Sequence, residues 1–223
     1  MANWIDHLVL AAPTLRDGCQ SVETLTGVAP AFGGVHTGAG THNALLSLGA
    51  PTYLEVIARD PEQDLRPSPL VPEDLHEPRL VAFAVGCDDI DAAVAALRAD
   101  GVTDAGEPYE MSRLRPDGSV LSWRLAFVGR LGGATPFLIS WHRGGSPAMD
   151  APVGGRFLSL HARNPDPRPA RRALDVLGID VPVEDSPTPA LEARIAALDG
   201  RDLWLGLRRS VGTSDGQAST SSK

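Results

Sequence analysis

The chain has 223 residues, 43% of them apolar and 22% charged, which is ordinary globular usage with room for one large domain or two small ones. A formal net charge of −8 argues against nucleic acid and anionic membrane as partners, since both reward clustered Lys and Arg, and Lys223 is the only lysine among 20 basic residues. Two scattered cysteines, Cys19 and Cys87, exclude a disulfide framework or a zinc knuckle, and no apolar stretch approaches the ~20 residues of a membrane span.

In chain order, the N-terminus MANWIDHLVL has neither the basic start nor the long apolar run of a signal peptide, so the cytoplasm is the expected address. The preference for Arg over Lys, with abundant Pro and Ala, is the coding habit of a GC-rich bacterium. Residues 4–12 read as an apolar strand. Thr14 follows as a helix N-cap with Asp17 as its capping partner, Leu15, Val22 and Leu25 share one helical face, and Gly27 ends the helix. Residues 42–49 and 52–59 read as strands around a Gly-Ala-Pro turn. The Pro-rich stretch 60–78 reads as a linker.

The pattern then recurs. Residues 80–85 are a strand, Asp88 and Asp89 are cap candidates, Ile90, Ala93, Val94 and Leu97 form a helical stripe, and Gly101 closes it. Strands follow at 119–128, after the turn Pro116-Asp117-Gly118, and at 136–142. A third copy runs through the strand 157–163, a cap at Asn164 or Asp166, a stripe of Ala170, Leu174 and Leu177, and Gly178. Two strand signals then flank Asp199-Gly200, a hairpin turn. Aligned strands place His7, Ala82 and Ser159 at one position, 75 and 77 residues apart, and the closing glycine stands 20, 19 and 19 residues further on. Spacings that agree three times mark a repeated supersecondary unit. The expected organisation is a first βαβββ module at 1–59, the linker at 60–78, a second module at 79–143, a partial third βα-ββ module at 156–208, and a disordered tail at 209–223 with almost no apolar content.

A tandem βαβββ unit that opens with Ile5-Asp6-His7-Leu8-Val9-Leu10 and carries Tyr53-Leu54-Glu55-Val56-Ile57 at its fourth strand resembles the vicinal-oxygen-chelate superfamily. The run His36-Thr37-Gly38-Ala39-Gly40-Thr41-His42-Asn43, with Arg113-Leu114-Arg115-Pro116-Asp117-Gly118 and Trp123-Arg124-Leu125, is similar to the glyoxalase-like domain branch of that glyoxalase, bleomycin-resistance and dioxygenase fold. The resemblance covers residues 4–142 well and 156–207 loosely. It implies an α+β fold in which paired modules form a cupped mixed sheet with helices outside, around a metal or small-molecule ligand. In metal-binding members the first and fourth strands of each module supply His and Glu. His7 and Glu55 match those positions in the first module, whereas Ala82 and Ile139 stand there in the second and cannot coordinate.

The resemblance therefore leaves alternatives. His7 and Glu55 can hold a divalent ion (Zn, Fe, Mn or Ni), serve as a general base and its partner in a metal-free pocket, or be structural, with Glu55 meeting Arg124 or a backbone amide. A carboxylate in an apolar strand needs a partner whichever holds. His7 is expected to share a face with Ile5 and Val9. His36 and His42 flank a glycine-rich turn that is no dinucleotide fingerprint, and both are read as loop histidines and as candidate ligand-binding groups, with Asn43 beside them. Trp123 and Arg124 point to opposite faces of one strand, so one faces the core and the other the cup or solvent. Arg124 in the cup is a natural carboxylate or phosphate anchor, and a salt bridge is its alternative. His142 and His161 read as surface, interface or satisfied core residues, and His76 as solvated.

Two functions lead, ahead of a blander third, an interaction or scaffold protein whose cup is filled by side chains. One is a lyase, isomerase or dioxygenase of glyoxalase type, metal-dependent or not, with Glu55 catalytic. The other is a binding protein without turnover that sequesters a small molecule. A homodimer is compatible with both.

Overall fold

The computed structural model describes residues 3–36, 38–63, 68–115, 117–129, 134–142 and 145–206. The expected disordered tail, Thr37, Pro116 and part of the 60–78 stretch lie outside those residues. Eight strands close into a barrel: β1 (Asn3–Ala11), β2 (Ala31–His36), β3 (Thr41–Ser47), β4 (Tyr53–Arg59), β5 (Arg79–Cys87), β6 (Tyr109–Leu114), β7 (Val120–Phe127) and β8 (Phe137–Trp141). Their order around the barrel is β1-β4-β3-β2-β6-β7-β8-β5. β1 runs parallel to β4 and β5 parallel to β8, so each half closes on its own first strand. The halves meet along the full antiparallel β1–β5 seam, and again at Val35 and Leu114 where β2 touches β6.

Helix α1 (Leu15–Thr26) follows β1, and α2 (Ile90–Ala99) follows β5. The local chemistry that starts α1 is a capping box. Thr14 Oγ1 accepts from the Asp17 N–H at 3.1 Å and donates to the Asp17 carboxylate at 2.7 Å, and Gly27 ends the helix at φ 78°. For α2, Asp89 caps the Ala92 N–H at 3.0 Å.

Alternation along each strand then makes two cores. Outward residues such as Leu8, Leu10, Leu46, Leu54, Phe83 and Val85 pack under the helices with Val22, Ile90, Val94 and Leu97. Inward residues such as Val9, Ile57, Ala82, Ala84, Leu125 and Ile139 line the barrel. Burying one such aliphatic side chain contributes about 1.5–3 kcal/mol. Covered on both faces, β5 is buried from Leu80 to Cys87, which explains its continuous apolar run.

Several expectations are corrected. A bulge between Ile5 and His7 breaks the alternation, so Ile5 joins the outer core while His7 and Val9 face inward. Two barrel strands, β2 and β6, have weak signatures: Gly33 and Gly34 interrupt the first, and Glu110, Ser112 and Arg113 dilute the second. Because β2 leads into the glycine-rich turn, that turn is a hairpin joining β2 to β3, and no helix follows it. Residues 68–75 are more than a linker, since Val71 and Leu75 are buried within the inner core and Leu70 packs against it.

The third copy also differs. It comprises β9 (Arg156–Asn164), α3 (Arg168–Leu177), β10 (Val183–Asp185), β11 (Ala190–Ala196) and β12 (Asp202–Gly206), after a short 3-10 helix at Pro147–Met149. Its sheet order is β10-β9-β11-β12, with β9 flanked by its neighbours rather than paired to its last strand. The βα opening recurs, but a β10 of three residues cannot carry the pairing that β2 carries in the first half. The N-cap of α3 is Pro167 with no side-chain cap, while Asn164 and Asp166 form turns just before it. The β9–β12 sheet adds Leu160, Ala193 and Ile195 to the outer core.

Candidate functional site

Inside the barrel lies a cavity of about 260 Å³, close to the small end of the usual range for ligand sites, about 300–1,000 Å³. Most of its wall is apolar and aromatic: Tyr53, Trp123, Phe127, Phe137 and Trp141, with Met111, Leu125 and Ile139 between them. Four of the polar groups are gathered on strands of the first half, facing Arg113 on β6 of the second. They are His7 on β1, His36 at the end of β2, Asn43 on β3 and Glu55 on β4.

Glu55 is the centre of this group. Its Oε1 accepts 2.6 Å from the Asn43 amide nitrogen and stands 3.7 Å from His36 Nε2, and its Oε2 stands 3.6 Å from His7 Nε2. All four side chains are buried. Each far nitrogen of the two imidazoles is held from behind. His7 Nδ1 lies 2.7 Å from Asp6 Oδ1, and His36 Nδ1 lies 2.9 Å from Thr41 Oγ1. Asp6 is fully buried, and its second oxygen accepts from the Trp141 indole N–H at 2.9 Å. An acceptor-only carboxylate at Nδ1 makes that nitrogen the protonated one and turns His7 Nε2 toward Glu55. The His7 ring is stacked on Tyr53, with centroids 4.7 Å apart.

Burial lowers the His36 pKa, partly opposed by Glu55 and reinforced by Arg113, which favours the neutral imidazole, and its Nε2 lies 3.3 Å from the Asn43 amide nitrogen. Burial pushes the Tyr53 phenol well above its ordinary value, so it remains a hydroxyl donor on the cavity wall.

The structure brings together His7, Glu55, His36, Asn43 and Trp123, but not all the candidates. His42 lies on the outer face of β3, 3.9 Å from Asp60, because side chains alternate and Thr41 and Asn43 take the inner face. Arg124 is also outside the cup. Its guanidinium binds the Asp91 carboxylate of α2 at 2.5 and 3.0 Å, while its neighbour Trp123 takes the inner position. His36 is the reverse correction, since the strand β2 buries what the sequence presents as a loop histidine. His142 is exposed beside Glu110 at 2.7 Å.

Several site residues escaped the sequence reading, Tyr53 and Thr41 on the cavity wall and three more that are linked through the fold. Asp6 and Trp141 are linked only by the tertiary fold, since 135 residues separate them. Arg113 is buried, lines the cavity and donates to Asn43 Oδ1 at 3.4 Å. The visible signals were the IDH tripeptide at residues 5–7 and the alternation Tyr109, Met111, Arg113. The second half supplies Ala82, Ala84, Phe137 and Ile139 to the interior, so neither of its first-strand alanines nor Ile139 can complete a ligand set.

A two-module barrel with helices outside and a buried His–Glu pair inside defines a protein of the vicinal-oxygen-chelate class. More particularly, the chain belongs to the glyoxalase-like domain family, whose model matches residues 5–178. A crystal structure of a hypothetical protein from Staphylococcus aureus is similar in fold, with TM-score 0.63 and 16% identity, covering 92% of this chain and 85% of that one. A structure of methylmalonyl-CoA epimerase in complex with methylmalonyl-CoA and NH4+ matches with TM-score 0.45 and 20% identity over 66% of this chain and all of that one. The epimerase from Mycobacterium tuberculosis matches with TM-score 0.39 and 16% identity, covering 62% of this chain and 87% of that one. No curated protein matches the chain. Among the described residues no helix is long and apolar enough to cross a membrane.

Proposed function

We infer that the cup binds a small carbonyl compound and that Glu55 moves a proton on it, making the protein an isomerase or lyase of glyoxalase type. The observation that carries this is a buried carboxylate facing an apolar cavity with an imidazole nitrogen 3.6 Å from one oxygen and an amide donor on the other. Glu55 Oε2 takes the proton from a carbon next to the carbonyl. The C–H bond breaks, an O–H bond forms on Glu55, and the electron pair moves onto the carbonyl oxygen as an enolate. Return of a proton from Glu55 to that carbon, or to a neighbouring atom, after exchange of the carboxyl proton with solvent, re-forms a C–H bond and restores the carboxylate without a co-reactant. The Tyr53 hydroxyl, which makes no hydrogen bond within the described residues, is a donor suited to the enolate oxygen. Asp6 and Trp141 orient His7, which faces the carboxylate during the transfer. Asn43 keeps one Glu55 oxygen occupied and leaves the other for substrate.

A divalent metal is the group the fold family implies, and His7, His36 and Glu55 are the residues that would hold it. Their present arrangement does not suit an ion. The Asn43 amide hydrogens are directed at both Glu55 Oε1 and His36 Nε2, the two donors a metal would need. The Asn43 oxygen is held by Arg113, whose positive charge would oppose a cation. No group of three or more His, Cys, Asp or Glu side chains among the described residues is arranged to hold a metal. The proposed proton transfer is written on the protein's own groups.

The second reading, sequestration without turnover, is favoured by one observation: among the described residues of the second half that line the cavity, Arg113 alone is charged and most of the rest are apolar or aromatic. Exchange of substrate hydrogen for deuterium separates the two. The protein is incubated in D₂O with a panel of ketones, esters and 2-oxo acids and followed by proton NMR. Exchange above the buffer rate, lost at least a hundredfold in Glu55→Gln, supports catalysis. Saturable binding without exchange supports sequestration. Stoichiometric Zn, Fe, Mn or Ni in the purified protein, lost in both His7→Ala and Glu55→Gln, would instead establish the metal-dependent mechanism.

A further inference from the structure

We propose that Arg113 is the carboxylate-recognition group of the cup, so that the ligand is a small monocarboxylic acid with an apolar or aromatic body. This rests on the cup being the ligand site, and it adds which class of molecule enters it.

Arg113 is 4% exposed, yet among the described residues its guanidinium makes a single hydrogen bond, 3.4 Å long, to Asn43. Guanidinium carries five N–H donors in a planar fork, and leaving buried charged donors unpaired is costly. Arg113 lines both the main cavity and the groove beside β2 that holds Arg115, so open space adjoins this side chain. Burial lowers its pKa from the ordinary arginine value, with Glu55 acting in the opposite direction. An arginine is nonetheless always protonated in a protein, so a positive fork stands inside an apolar cup.

The backbone is shaped around that fork. A Cβ at Gly33 would clash with both Arg113 Nη1 and Asn43 Oδ1, and one at Gly34 would clash with the Leu114 carbonyl oxygen of β6 and meet Arg113 Cγ at 3.0 Å. Gly34 also adopts φ 144°, at the register shift between Phe32 and Gly34. Two successive glycines in a strand cost backbone entropy and forgo side-chain packing. Here they make the space in which the guanidinium lies. The same feature that hides β2 in the sequence creates the seat of the anion-binding group.

Asn43 links this seat to the proton-transfer group, with its oxygen toward Arg113 and its nitrogen on Glu55. A carboxylate paired bidentately with Arg113 therefore lies one amide group away from Glu55, and the carbon chain extends toward Trp123, Phe127 and Trp141. Recognition of an anion by a planar fork and of its body by aromatic walls is a division of labour suited to an aryl or branched-chain acid.

The test uses the full chain and two probes of equal shape, 3-phenylpropionate and its neutral amide 3-phenylpropanamide, in titration calorimetry at pH 7. The carboxylate should bind at least tenfold more tightly than the amide. Arg113→Met should remove that preference. Gly33→Ala, which keeps the charge but displaces the fork, should weaken carboxylate binding at least fivefold, and it decides the matter if Arg113→Met does not fold. Glu55→Gln should bind the carboxylate as well as or better than the native chain, so loss of proton exchange in that variant leaves this proposal standing. Equal binding of the two probes, a preference that survives Arg113→Met, undiminished carboxylate binding in Gly33→Ala, or no binding of either probe would overturn it.

Discussion

The two halves of the barrel are built to one plan and do opposite things. In the first, β1, β2, β3 and β4 place His7, His36, Asn43 and Glu55 on the inner face, supported from behind by Asp6 and Thr41. In the second, β5, β7 and β8 place Ala82, Ala84, Trp123, Leu125, Phe137 and Ile139 there, and only Arg113 on β6 is charged. A buried polar group is tolerated only when its neighbours satisfy it, so the polar residues occur as one connected network and not as scattered positions. The repeated topology sets two equivalent surfaces facing each other. One carries the connected polar network around Glu55, and the other supplies a mostly apolar and aromatic wall facing it.

The sharpest way to break this contrast is to neutralise its centre. Glu55→Gln preserves shape and should reduce proton exchange by about 10²–10⁴-fold, the usual contribution of a general base, while leaving thermal unfolding nearly unchanged. On the apolar side, Phe137→Ala should cost about 3–5 kcal/mol of stability in denaturant unfolding, because Phe137 is almost fully buried among inner-wall side chains. Its effect should appear in stability first, the reverse of Glu55→Gln.

Asp6→Ala joins the two halves in one experiment, since Asp6 binds His7 of the first and Trp141 of the second. Stranding both donors should cost about 1–3 kcal/mol per group, visible as a lowered Tm, with proton exchange also reduced. If the variant keeps native stability, the link across the barrel contributes nothing.

The pH dependence of stability sharpens the contrast further. The folded His36 pKa lies below its ordinary 6.5 because the ring is desolvated. Above 6.5 both folded and unfolded chains hold it neutral. As pH falls through and below 6.5, the unfolded chain takes up a proton that the folded ring resists, so this group should lower stability progressively on the acid side. His36→Gln should flatten that part of the Tm–pH profile. The smallest effect is expected at Arg124→Ala, which removes an exposed ion pair to Asp91 worth about 0.2–1 kcal/mol and should leave ligand binding untouched.

How far these features could be read in advance depended on how local they were. Both barrel helices announced themselves through short-range chemistry: Thr14 with Asp17, Asp89 with Ala92, and the closing glycines. His7 and Glu55 were visible because polar groups in apolar strands are conspicuous. β2 and β6 were not, since glycines and polar residues mask a strand that is stabilised by its neighbours. Ile5 was misplaced because a bulge changes parity without leaving a sequence mark.

The amino-acid sequence by itself determined the repeating strand–helix rhythm, the tandem cupped architecture and the pair of residues at the centre of the cup, since capping, periodicity and burial cost all act over a few residues. Tertiary structure alone decided that Asp6 meets Trp141, that His36 is buried while His42 is not, that Arg124 leaves the cup and Arg113 enters it, and that the third copy pairs its strands differently. Those outcomes depend on which strands become neighbours when the sheet closes, and hydrogen-bond partners across a barrel are set by register and closure and not by distance along the chain.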